Sequence, residues 1–251
     1  QQSSAYALDL TPHRAIYSMT LGTATGRGAP KSVRGVMFYE FQSRCDAWTV
    51  DSTVFLKINF GGPTEIESVR KIITWEGKNG LGFRFRSHEK HGDEIVQDIK
   101  GVAALDGKGE TGIVEYLQPR RFKINLPIGT VFPTGHIRTL ISKSVTGENF
   151  FNKVVFDGAS LDEPFMVSAF IKRKVKPDLP DKMRSKDLYN LATWQARLAY
   201  FKVNSNNQTP EFEMGVRYRE NGIVEELLQD YRTYTILARL DQLEMFPTEQ
   251  C

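Results

Sequence analysis

The sequence predicts a mainly β fold, an antiparallel sheet or barrel with one amphipathic helix set among its strands. Three observations carry this. Apolar and polar residues alternate with period two over much of the chain, and the alternating runs are joined by Asn-Gly, Asp-Gly and Gly-rich turns. A single stretch switches to the helical period.

The alternation is plainest in "LGFRFRS", where Leu81, Phe83 and Phe85 share one face and Arg84 and Arg86 the other. "EFEMGVRYRE" sets Phe212, Met214, Val216 and Tyr218 against Glu213, Arg217 and Arg219. "SVRGVMFYEF" places Val33, Met37, Tyr39 and Phe41 on one side, with Val36 and Phe38 blurring the other. Such runs read as half-buried antiparallel strands. "EGKNG", Asn221-Gly222 and Asp157-Gly158 supply the positive φ that tight hairpins demand, and "LDGKGET" reads as a further turn. Roughly a dozen strands at this spacing fit a sheet or barrel. In "FPTGHIRTLISKSVTG", Ile137, Leu140, Ile141 and Val145 form one helical stripe, with Thr134 as N-cap after Pro133 and Gly147 as the stop. "DLYNLATWQARLAYF" carries both periods; its aromatic tail predicts a strand from about Thr193. The charged, proline-containing stretch over 174–187 predicts an exposed loop. It need not divide the chain, and residues 1–251 are expected to form a single domain around a shared core.

Composition narrows the class. The 251 residues are 40% hydrophobic and 25% charged, enough to bury a core. No apolar run reaches the length of a transmembrane segment. The net charge of +3 is too small and too scattered to propose a nucleic-acid partner. The chain opens on "QQSSAYAL", small and polar. An exported protein whose signal peptide has been cleaved, or a chain cut at that point, begins this way.

The two cysteines, Cys45 and Cys251, stand near opposite ends of the chain. No CxxC pair or Cys/His cluster offers a zinc ligand set, so no metal is expected. Asp46 opposes thiolate formation at Cys45. Two readings remain: a pair of unrelated buried thiols, or a Cys45–Cys251 disulfide. The disulfide is the sharper reading; it would tie down the tail and require an oxidising compartment such as the bacterial periplasm.

Motifs for catalysis and cofactors are tested and set aside. "GVAALDGKGE" has five residues between Gly101 and Gly107 and no hydroxyl after Lys108, so it is no phosphate loop and no nucleotide is expected. His88 and His91, three apart in a turn, read as surface residues. No nucleophile elbow occurs and no serine has a base placed by a motif, so no catalytic residues and no cofactor are assigned. Glu225 and Glu226 read as a strand's wet face. His13 opens the first strand, and His136 sits in the first turn of the helix, where the dipole favours a neutral ring. Both are structural pins or line a ligand cavity. Trp48, Trp75 and Trp194, with Phe83 and Phe85, are wall or core residues.

"PHRAIY", "CDAWTV", "FPTGHIRTLI", "YRENGIVEELLQDY" and "LEMFPTEQC" occur in this order from Leu10 to Cys251. Together they resemble the periplasmic cell-envelope integrity family EipB. The chain departs from the family's Tyr-Glu-Asn-Gly at Tyr218-Arg219-Glu220-Asn221-Gly222, inside a turn. The resemblance implies a β-spiral, or incomplete barrel, with an inserted helix, and a disulfide between Cys45 and Cys251. It also implies a fold similar to the lipoprotein carriers LolA and LolB, a role in envelope integrity and no enzymatic activity. The expectation is therefore a periplasmic, non-enzymatic protein that binds a lipid or lipoprotein acyl chain, or an envelope protein partner, in or on a curved sheet. Alternatives are a packed interaction scaffold and a hydrolase acting on an envelope polymer.

Overall fold

The computed structural model describes residues 9–161, 164–172, 174–178, 188, 190–203 and 209–251. Its first strands are β1 (His13–Ala24), β2 (Ser32–Ser43), β3 (Ala47–Asn59), β4 (Ile66–Gly77) and β5 (Gly82–His91). They are followed by β6 (Glu94–Leu105), β7 (Gly112–Gln118), β8 (Phe122–Leu126) and the short β9 (Thr130–Val131). Helix α1 (Pro133–Thr146) comes next, and then β10 (Phe150–Val155) and β11 (Phe165–Ile171). The chain continues through β12 (Thr193–Lys202), β13 (Phe212–Arg219), β14 (Val224–Asp230) and β15 (Tyr234–Met245).

All these strands lie in one 15-stranded sheet, ordered from β8 down to β1 and then from β15 down to β9. Every pairing is antiparallel except β9 with β10. Because β1 pairs with β15, the two ends of the chain meet in the middle of the sheet, and its two edges are β8 and β9. The sheet curls into a nearly closed barrel with one unsealed seam. The predicted mainly β fold, an incomplete barrel with an inserted helix, is what the chain adopts.

Alternation sets which face is the inner one. One register row runs Trp48, Glu76, Phe83, Ala103 and Val114 across five strands, and every member is buried. Inward residues meet in three clusters. Leu140 and Ile141 of α1 pack against Phe41, Trp48, Trp194 and Tyr218. Tyr17, Met19, Ile236 and Leu240 surround Leu188. Phe83, Phe85 and Tyr116 pack with Phe132 and Phe156.

Four expectations are corrected. Asp157-Gly158 closes no tight hairpin, because the chain leaves β10 and crosses the barrel before entering β11. There the Ala159 carbonyl accepts 2.8 Å hydrogen bonds from Arg70 on β4 and Gln97 on β6. Gly158 has φ +65°, and a Cβ there would lie 2.4 Å from Cγ of Phe85, so the crossing requires glycine. Arg219 and Glu225, expected on wet faces, are buried as an ion pair at 2.7 Å. Val145 leaves the buried stripe of α1 and is 52% exposed. Thr134 does not cap α1, because it lies inside the first turn and Phe132 is the N-cap. Of the 174–187 loop, residues 179–187 lie outside the described residues; at its start Val175 bridges to Thr193 while Lys174, Lys176 and Asp178 are exposed.

Candidate functional site

Several of the residues that the sequence singles out lie around α1. Its last turn ends as expected, with Gly147 left-handed and its amide bonded back to Ser144. Its first turn does not. Pro133 occupies the opening helical turn and the N-cap is Phe132, which has no side-chain acceptor, so the free amides need a partner from elsewhere. Glu76, an inward residue of β4, supplies it. Its two carboxylate oxygens accept from the amides of Thr134 at 2.7 Å and Gly135 at 2.8 Å. Burial pushes the Glu76 carboxyl above its ordinary range, while these amides and the nearby Arg138 guanidinium pull it back.

The second turn presents Arg138 to the Trp48 ring, 5.1 Å from its centroid, with Lys78 at 6.0 Å. At the other end of the helix the Ser144 hydroxyl donates to the Leu140 carbonyl and meets the Tyr218 hydroxyl at 2.6 Å. Helix α1 therefore crosses the barrel from β4 to β13, bonded to the sheet at both ends.

His136 is buried beside Phe151, with ring centroids 5.7 Å apart. Its Nε2 is buried with no hydrogen-bond partner among the described residues, and burial together with Lys153 lowers its pKa to about 4. His13, on β1, approaches the Thr11 carbonyl through Nδ1 at 2.7 Å and lies near Tyr39 and Phe41; burial lowers its pKa as well. His13 and Ile137 share a crevice of about 10 Å³, room for about one water. Trp194 stacks on Tyr218 in the α1 cluster. Trp75 projects to the side of β4 opposite Glu76 and lies under Arg84, 4.7 Å from its guanidinium carbon. The structure thus brings Trp48, Trp194, His13 and His136 around α1 and leaves Trp75 outside.

Sequence reasoning missed Glu76, Ser144 and the Arg219–Glu225 pair. For Glu76 a signal existed: in "ITWEG" the carboxylate occupies an inward step of the alternation. Arg219 also donates to the Leu188 carbonyl, and Glu225 accepts from the Asp178 amide at 3.0 Å. The pair thus meets backbone at Asp178 and at Leu188. Cys45 and Cys251 are bonded, with their Cα atoms 5.6 Å apart. The disulfide fixes the tail beyond β15, whose Phe246 amide donates to the Pro12 carbonyl and whose ring lies beneath Arg14.

The model of the EipB-like family matches residues 4–247. The chain belongs to the EipB-like family. It is 29% identical over 251 residues to the cell envelope integrity protein EipB of Brucella abortus (strain 2308), covering 98% of this chain and 88% of that protein. A crystal structure of a β-barrel-like protein of a domain of unknown function from Brucella abortus superposes with TM-score 0.88 at 25% identity. It covers 96% of this chain and 100% of that one. The family resemblance noted in the five short motifs therefore extends to the whole fold.

Proposed function

We propose that the protein maintains the cell envelope as a periplasmic, non-catalytic binding protein that docks a protein partner on its surface. The observation that carries this reading is the packed interior around α1. Among the described residues, Leu140 and Ile141 of α1 pack with inward side chains in one buried cluster, and the crevice beside His13 is too small for an acyl chain. Three buried charged side chains are engaged in architecture: Glu76 holds the helix, and Arg219 with Glu225 meets the backbone at Leu188 and Asp178. The Cys45–Cys251 bond suits an oxidising compartment, which supports export to the periplasm. The relative named for envelope integrity supports the cellular role.

The test is in-cell photocross-linking from the barrel's outer surface, paired with organic extraction of the natively purified protein. One envelope protein recovered at stoichiometric yield from a localised set of positions is the expected result. Recovery of a bound lipid, with thermal stabilisation by acyl ligands and no recurring adduct, would replace docking with lipid carriage.

A further inference from the structure

The barrel's seam is a place where the sheet has hydrogen-bonding capacity to spare. Strand β8 pairs with β7 on one side only, and among the described residues no strand pairs with its other side. In an antiparallel ladder alternate residues turn their amide and carbonyl groups toward each neighbour. One set of β8 therefore faces the seam. Along that edge runs a groove of about 520 Å³, bounded by Lys123, Ile124, Asn125, Leu126 and Pro127 and, across the gap, by Pro164 and Val203.

The chemistry of the strand selects what can lie there. From Pro119 to Pro127 the sequence is "PRRFKINLP", with three cations and no carboxylate. Arg120, Arg121 and Lys123 are exposed, and among the described residues none closes an ion pair, although Glu115 faces Lys123 across the ladder. A lysine on an edge strand discourages pairing with a like-charged edge, so a second copy of this chain is a poor occupant. Opposite charges directly across a ladder are favourable, so the same lysine suits a strand bearing Asp or Glu.

Building on the docking reading above, we propose that the β8 edge is the docking site, and that it takes an extended acidic segment of another protein as an added antiparallel strand. Affinity comes from main-chain hydrogen bonds along the seam. Selectivity comes from an acidic residue opposite Lys123 on the outer face and from a small apolar residue packed beside Ile124.

The test is amide hydrogen exchange and NMR titration of the full chain with three synthetic probes. These are an acetylated peptide of alternating Val and Glu, its Lys counterpart, and the Glu peptide with a central proline. The acidic peptide should slow exchange at alternate β8 amides at least several-fold, and the other two should not. Lys123→Glu, a change at an exposed position, should reverse the preference toward the Lys peptide. The proposal is overturned if β8 amides are unprotected by every probe, if Lys123→Glu leaves the preference unchanged, or if protection arises from self-association without peptide. It is overturned equally if a fatty acid rather than a peptide perturbs the seam. Cross-linking of an envelope protein at another surface, with β8 unprotected, removes this inference while the docking reading stands.

Discussion

The carboxylate of Glu76 stands 2.7 Å from the backbone nitrogen of Thr134, 58 residues further along the chain, and closes the first turn of a helix that cannot cap itself. A β-strand thereby sets where α1 begins and pins it across the barrel. Replacing Glu76 with Ala orphans two amides in a buried site, each costing about 1–3 kcal/mol when left without a partner. Glu76→Gln keeps one acceptor and removes a buried charge, so its loss is smaller. Urea unfolding should rank wild type above Glu76→Gln above Glu76→Ala. A glutamine variant less stable than the alanine variant contradicts the capping role.

Acid should loosen the same region through the histidines. The folded-state pKa of His136 lies at about 4, below its unfolded value, and that of His13 is also depressed. The unfolded chain therefore binds protons first. The contribution of His136 is complete above about pH 6.5 and is lost as pH falls toward 4, on the order of 3 kcal/mol, and that of His13 declines in the same direction. Glu76 acts in the opposite sense. Its raised folded-state value means that the native protein takes up that proton first, which adds stability as pH falls through it. Denaturation midpoints between pH 7.5 and 4 should decline, and His136→Phe should flatten the decline. An unchanged slope in that variant assigns the acid sensitivity elsewhere.

How much of this was legible follows from what alternation encodes. Phe83, Phe85, Val216 and Tyr218 were placed on inward faces because period two fixes the side of the sheet. The extent of α1 was legible because Ile137, Leu140 and Ile141 share a stripe and Gly147 stops it. Arg219 and Glu225 were misplaced because alternation does not say what later covers a strand's end. Here backbone at Asp178 and Leu188 arrives from a different part of the chain. Alternation could place Glu76 inward but not name its partner: a local rule nominated Thr134 as the cap, and a contact distant in sequence prevailed.

The Arg219–Glu225 pair makes that covering measurable. Both side chains are inaccessible to solvent, so each is favourable only with the other present. Arg219→Met or Glu225→Gln should each cost about 3–5 kcal/mol, because a buried charge is left uncompensated. The double variant Arg219→Met with Glu225→Leu should recover most of that loss. A double-mutant cycle measured by chemical denaturation checks it. Additive losses would show that the two charges do not compensate one another.

The Cys45–Cys251 bond joins residues 206 positions apart, so it closes nearly the whole chain into one loop. Cross-linking over that span restricts the unfolded ensemble far more than the folded one, in which β1 and β15 already hold the two ends together. Both cysteines are exposed, so the bond can be cleaved without first unfolding the barrel. Reductant should add the mass of two hydrogens to the intact protein. Cys45→Ser should lower stability by about 2–5 kcal/mol, the range for losing a native disulfide, while the circular dichroism of the folded sheet is retained. Cys251→Ser should match it, and the double variant should be no worse than either single one, since all three remove the same cross-link. A double variant clearly less stable than both would mean that the thiols contribute separately, and that the loop closure is not what stabilises the barrel.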